Sequence, residues 1–422
     1  MTGLRDWERD RELPAACGQP DLAPPTEAEA RRLFEERLLL PGVDAPEEVT
    51  WEYARWKPGV SITTAWRLVF GDGHEELVAT KRYTGSKTEA LAERKDKSSA
   101  AEPFCERTRP RVLAPEDNLV LWTHPADREL PGLPLLLDHK RLASLIKHQG
   151  LTDPGLIRRR KTVRTLLRYK PERRSVYRAH FKLRDEARTR FSLALRAHPP
   201  RQAARILEAR LFFEEIGGGE FTPELAGSHE RYGLLLEKWL EVETPEPDGF
   251  DHAREAGATL ARLHALPLPA GVPEVPWPER ESLTELLALA GATPSASGAL
   301  FPSTPRRTWI HGDFHPDQVA RRPDGEHVLL DLDRLGAGDP AQDLANWITD
   351  HLQEDAGLDL DGAAAPLLEG YAGAGGEVPS ADHLRALVKG QLESRAAASL
   401  RRLEADARGR VATLLERAAA LG

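Results

Sequence analysis

Residues 309–347 read WIHGDFHPDQVARRPDGEHVLLDLDRLGAGDPAQDLANW, and their pattern decides both fold and chemistry. Two short apolar runs, Trp309-Ile310 and Val328-Leu329-Leu330, each lead directly into a polar segment carrying an aspartate. Asp313 lies in the first of these, within His-Gly-Asp, and Gln318 stands five residues later. Asp331 opens the second, eighteen residues beyond Asp313. The run thus supplies a loop aspartate, a carboxamide and a strand-end aspartate.

These groups suit phosphoryl transfer, which asks for a carboxylate to position an attacking hydroxyl and for oxygen ligands to hold magnesium against phosphates. Magnesium takes hard oxygen donors, and only one or two protein carboxylates beside phosphate and water. The five-residue step from Asp313 to Gln318 equals the aspartate-to-carboxamide spacing of the protein-kinase catalytic loop. His311 and His315 lie four apart, but Gly312 and Pro316 oppose the helix that a two-histidine zinc motif needs. Both histidines are expected to be structural.

HGDFHPDQ followed by LLDLDRLGAGDPAQDLA resembles the aminoglycoside phosphotransferase and choline kinase-like superfamily. The resemblance implies a protein-kinase-like, two-lobed α+β fold that uses ATP and Mg2+. It makes Asp313 the catalytic base, Gln318 and Asp331 the metal ligands, and His311 and Asp343 the support of the catalytic loop. Gln318 departs from the more usual asparagine by one methylene, as in maltokinase-like relatives. The acceptor implied is a small polar molecule with a hydroxyl: a sugar, amino sugar, aminoglycoside or amino alcohol. A sugar kinase of maltokinase type is one alternative, and a pseudokinase that binds without turnover is another.

Upstream, GATLARLHAL (257–266) resembles the helix that precedes this loop in the family, and its apolar spacing is helical. Before residue 246 the texture is strand-rich. TWEYARW, SITTAWRLVF and ELVATKRY alternate apolar and polar residues between turns at Lys57-Pro58-Gly59 and Gly71-Asp72-Gly73. NLVLWTHP reads as a further strand, after a helix expected over 87–101. The texture returns 113 residues later, with Arg168-Tyr169-Lys170-Pro171 matching Arg55-Trp56-Lys57-Pro58. This reads as an internal duplication. The expected domains are a lead-in with one helix (1–45), a first strand-rich unit (46–148), a second, nucleotide-binding one (149–245) and a helical catalytic lobe (246–422).

Either copy could supply the cation for the ATP phosphates. Lys81 has the familiar chemistry, with Glu89 or Glu93 as helix partner. Arg196 stands at the matching place of the copy adjoining the helical lobe, with Glu208 as partner. Glu237, within LEKWL (236–240), would belong to the hinge that meets adenine through its backbone.

Composition sets the outer bounds. A chain of 422 residues with 40% hydrophobic and 30% charged residues is globular and larger than one ordinary core. A net charge of −9 opposes general nucleic-acid binding. The basic run Arg158–Lys161 is read as a solvated face. Cys17 and Cys105 are too few for a disulfide framework. No apolar window is long enough to span a membrane, and the N-terminus lacks a signal-peptide core, so a cytoplasmic protein is expected.

Overall fold

The computed structural model describes residues 10–93, 98–152, 155–243, 250–276, 280–293, 306–355 and 357–421. The chain forms two compact units. One takes in Met1–Ala203, Gly227–Leu236 and Ala398–Arg410; the other takes in Ala204–Ala226, Glu237–Ala397 and Val411–Gly422.

The first unit begins with α1 (Leu13–Ala16) and α2 (Glu27–Arg37). Thr26 and Glu29 close α2 with a reciprocal capping box, satisfying donors that the first turn leaves open. Its buried side chains Ala30 and Phe34, with Leu38 beyond its end, fall on one stripe. They pack with Trp66, Leu68, Val78 and Leu121 of the first sheet.

That sheet comprises β1 (Glu48–Lys57), β2 (Ser61–Val69), β3 (Glu75–Tyr83), β4 (Arg111–Ala114) and β5 (Leu119–Thr123), in the order β1-β2-β3-β5-β4. Helix α3 (Lys87–Ala92) follows β3; the expected helix to residue 101 ends early, and a 3-10 segment resumes at Ser98. After α4 (Leu133–Leu137) and α5 (His139–His148) the plan repeats. The second sheet has β6 (Val163–Lys170), β7 (Arg174–Lys182), β8 (Arg190–Ala197), β9 (Leu225–His229) and β10 (Leu234–Lys238). Its order, β6-β7-β8-β10-β9, is that of the first, again with a helix, α6 (Pro200–Glu215), after the third strand.

The correspondence extends to single residues. Lys57 pairs with Ser61, and Lys170 with Arg174, so each hairpin closes over a three-residue loop. Thr63 faces Lys81 in the first sheet, and Val176 faces Arg196 in the second. Both first strands carry a bulge, at Glu52 and at Leu167. The duplication read from two tetrapeptides is therefore a duplication of topology and register.

The second unit contains α7 (Phe250–Ala265), α8 (Arg280–Leu289), β11 (Thr308–Ile310), β12 (Val319–Arg321), β13 (His327–Leu329), β14 (Gly336–Gly338), α9 (Pro340–Glu354) and α10 (Leu360–Gly373). Helices α7 and α10 pack with almost no space between backbones. A Cβ on Gly257 would overlap Leu367 O, and one on Gly370 would overlap Arg254 O. The chain ends in α11 (Ala381–Arg402) and α12 (Ala407–Ala420). Leu403 and Asp406, both in left-handed backbone conformation, divide a stretch whose pattern reads as nearly continuous helix. Among the described residues no helix is long and apolar enough to cross a membrane. Arg159–Lys161 are exposed, as a solvated face requires, and line a shallow cleft with Arg184.

Candidate active site

Two short antiparallel pairs organise the second unit's loop cluster. Ile310 of β11 lies opposite Gly336 of β14, so His311-Gly312-Asp313 leaves the end of a buried strand. Val319 of β12 lies opposite Leu329 of β13, and Leu330 N–H donates to Gln318 O at 2.8 Å. Gln318 is thus tied to the residue just before Asp331.

Asp343, fully buried in the first turn of α9, holds the first loop. Its two carboxylate oxygens accept the backbone N–H groups of His311 at 2.7 Å and Gly312 at 2.8 Å. A helix N-terminus favours a carboxylate at this place. The helix itself is fixed by Asp339, which caps Ala341 N–H at 2.9 Å and meets His383 Nε2 at 2.7 Å. Gly312 has φ +77°, and a Cβ there would meet Arg334 O at 2.7 Å. Glycine is the residue that meets both demands.

The histidine tautomers follow from their partners. His311 Nε2 lies 2.8 Å from Leu330 O and must carry the proton, leaving Nδ1 to accept Asp313 N–H at 3.3 Å. His311 therefore joins the two aspartate-bearing loops. His264 Nε2 faces Asp343 at 3.3 Å and donates to it, so Nδ1 accepts from Tyr371 O–H at 2.8 Å. Burial pushes the Tyr371 phenol up to about 12, which keeps it a neutral donor. Tyr371, His264, Asp343 and the loop N–H groups form one buried chain of hydrogen bonds.

At the end of this support the Asp313 side chain is open, 51% exposed, with Arg334 Nη1 4.0 Å from its Oδ1. Arg205 belongs to the same neighbourhood: burial and then the charge of Arg334 hold its pKa below the ordinary guanidinium value. It donates to Glu274 O at 2.9 Å. Asp331 is half-buried and adopts φ +57°, an uncommon conformation that aspartate tolerates better than most residues. Gln318 Nε2 lies 2.9 Å from His315 Nε2, which turns the carboxamide oxygen the other way.

A carboxamide oxygen and a carboxylate form a hard donor pair of the kind magnesium takes together with phosphate oxygens. Among the described residues no cluster of three His, Cys, Asp or Glu side chains could hold a metal alone. His311 Nε2 meets Leu330 O and His315 Nε2 meets Gln318 Nε2.

The expected nucleotide-facing residues fall in both units. In the first, Lys81 lies in a cross-strand row with Thr63 and Arg55, and its ammonium meets Glu172 at 2.5 Å. Neither Glu89 nor Glu93 is its carboxylate; the partner comes from the second copy. Arg196 has the same register position in the second sheet. In the second unit, Glu208 lies on α6, where its charge acts on Arg205 against the effect of burial. The Glu237 side chain is buried and accepts from Arg210 Nη1 at 2.7 Å. Arg210, 1% exposed, also reaches Glu214 at 3.1 Å and Pro223 O at 2.5 Å.

His264, Tyr371, Arg205, Arg334 and Arg210 were not singled out by sequence reasoning. For His264 a signal existed, a lone polar residue on the apolar face of LARLHAL; for the arginines there was none.

Residues 221–387 match the model of the phosphotransferase enzyme family. Among solved structures, the chain is similar to a macrolide 2′-phosphotransferase from Brachybacterium faecium, at 21% identity and TM-score 0.41, over 65% of this chain and 97% of that one. It is also similar to a choline kinase from Streptococcus pneumoniae, at 13% identity and TM-score 0.44, over 67% and 100% of the two chains. A third likeness is to an aminoglycoside phosphotransferase from Alicyclobacillus acidocaldarius, at 14% identity and TM-score 0.38, over 58% and 87%. No curated protein matches the chain.

Proposed function

We propose that this chain, whose residues 221–387 carry the signature of the phosphotransferase enzyme family, moves the γ-phosphoryl group of ATP to a hydroxyl of a small polar acceptor. The observation that carries the reading is the buried Asp343 clamp on His311 and Gly312, which holds the loop rigid and leaves the Asp313 carboxylate open. A rigid support under one exposed carboxylate suits a group that must orient a nucleophile.

In this mechanism Asp313 receives the acceptor's hydroxyl proton. The hydroxyl oxygen forms its bond to the γ-phosphorus as the bond to the β–γ bridging oxygen breaks, and ADP departs with that electron pair. Arg334, with Nη1 4.0 Å from Asp313 Oδ1, limits the swing of that carboxylate. Gln318 and Asp331 offer the oxygens for Mg2+, which when bound neutralises charge on the phosphates. Arg196 is the residue assigned to the nucleotide phosphates, and the backbone around Glu237 the one assigned to adenine.

The test is magnesium-dependent ATP consumption against sugars, amino sugars, aminoglycosides, macrolides and amino alcohols, with Asp313→Ala as the blank. A hit lost in the variant supports the reading and names the acceptor class. Turnover unchanged in Asp313→Ala would remove the catalytic assignment. ATP binding with no turnover on any acceptor would favour a pseudokinase.

A further inference from the structure

The two hairpins of the first unit differ at an informative position. Gly59 (φ +65°) and Glu172 (φ +62°) occupy the same middle place of the two three-residue loops. Both are left-handed, a conformation natural to glycine and strained for glutamate. A glutamate held there must be held by its contacts.

Glu172 has contacts at both ends. Its backbone N–H donates to Asp127 Oδ2 at 2.7 Å, and its carboxylate accepts from Lys81 Nζ at 2.5 Å. Asp127, 3% exposed, also accepts Tyr169 O–H at 2.9 Å and Glu129 N–H at 3.0 Å. Tyr169 in turn accepts Trp122 Nε1–H at 2.9 Å. The tip of the second sheet's hairpin is thereby fastened to β3, to β5 and to the segment after β5. Burial works against the Lys81 charge, but Glu172 more than offsets it, so the lysine pKa stands above its ordinary value. The Lys81 side chain is 11% exposed and that of Glu172 22%. An ammonium so enclosed offers little surface to a phosphate, and its carboxylate comes from the second copy's hairpin rather than from the helix after β3.

We infer that Lys81 is a positioning residue: through Glu172 it latches the Lys170–Arg174 hairpin of the second copy, and it does not contact nucleotide. In protein kinases a glycine-rich loop covers the phosphates. The latched loop here carries Lys170, Arg173 and Arg174. The first copy would then serve the second as its brace. The catalytic consequence rests on the proposed function; the latch itself does not.

Lys81→Met, Glu172→Gln and the double variant separate the possibilities, with MgATP affinity, KM, kcat and thermal unfolding as readouts. The latch expects each single variant to weaken MgATP binding by about 5- to 10-fold, the double to be no worse, and kcat to stay within about twofold. If Lys81 were itself the phosphate ligand, Lys81→Met would weaken MgATP binding far more than Glu172→Gln, since only the first removes the contact; that unequal response overturns the inference. Unchanged binding in both singles overturns it as well. Should the unaltered protein bind no MgATP, the phosphotransferase reading fails. The latch then stands or falls on unfolding: a non-additive Tm loss in the double variant supports it, and an additive loss removes it.

Discussion

Asp343 accepts the backbone N–H of Gly312 on one carboxylate oxygen and that of His311 on the other, at 2.8 and 2.7 Å. An amide in its place offers one oxygen and turns an NH2 group toward the second donor. Asp343→Asn is therefore expected to lower kcat by about 100-fold, the scale of a misplaced catalytic group, with MgATP affinity little changed. Stopped-time product assays and direct nucleotide titration measure the two effects; an unaltered kcat would sink the clamp.

Gln318→Ala removes the carboxamide oxygen while leaving Asp331 in place. The Mg2+ concentration for half-maximal activity should rise by at least about 10-fold, as for metal sites that lose supporting groups. Gln318→Asn should recover part of it. A magnesium titration identical to that of the unaltered protein would take Gln318 out of the metal site.

Arg210 lies buried between Glu237, Glu214 and Pro223 O. Arg210→Leu strands the Glu237 carboxylate away from water, at a cost of about 3–5 kcal/mol. Adding Glu237→Gln should restore a good part of the loss. Denaturant unfolding reads both, and a loss near zero for the single change would show the pair to be dispensable.

Two glycines of α10 should respond with opposite signs. Gly370→Ala drives a Cβ into Arg254 O and is expected to cost about 1–3 kcal/mol or more. Gly373 has open space around it, and Gly373→Ala should gain up to about 1 kcal/mol from the lower chain entropy of the unfolded state. Equal effects on Tm would contradict the close helix crossing.

Burial raises the Asp127 carboxyl to about 6, despite the hydrogen bonds it receives from Glu172, Tyr169 and Glu129. Its unfolded value is near 3.9, so between these values the folded chain binds more protons than the unfolded one. The contribution of Asp127 is thus fully present below about pH 4 and lost as pH rises to about 6, on the order of 3 kcal/mol. In Asp127→Asn this slope should flatten in unfolding free energies measured from pH 4 to pH 7. An unchanged slope would mean that another group sets it.

Much of this architecture is readable from local patterns. Lys57-Pro58-Gly59 announces a turn, and SITTAWRLVF announces a strand, although the structure buries both of its faces over residues 61–66. One edge strand of each five-stranded sheet escapes such reading: RVLA (111–114) is too short to show a period, and LAGSH (225–229) has little strand propensity. The candidate site is legible because Asp313, Gln318 and Asp331 sit close in sequence around two short strand pairs. Lys81 is a different case. Its partner Glu172 stands 91 residues away, in a loop whose first copy has glycine there. No local pattern discloses such a pair, and a separation of 107 residues likewise hides the pairing of His264 with Tyr371.

The matched loops around Gly59 and Glu172 also bear on how this chain could evolve. A deletion joining Lys57 to Pro171 would run β1 into β7 through a loop of unchanged length, and one five-stranded sheet would survive. Yet that shortened chain would keep Glu172 in its strained turn with both Lys81 and Asp127 gone. Excision of the first copy, easy at the level of the gene, would leave the remaining copy with a residue suited only to its lost neighbour. The duplication has become one-way.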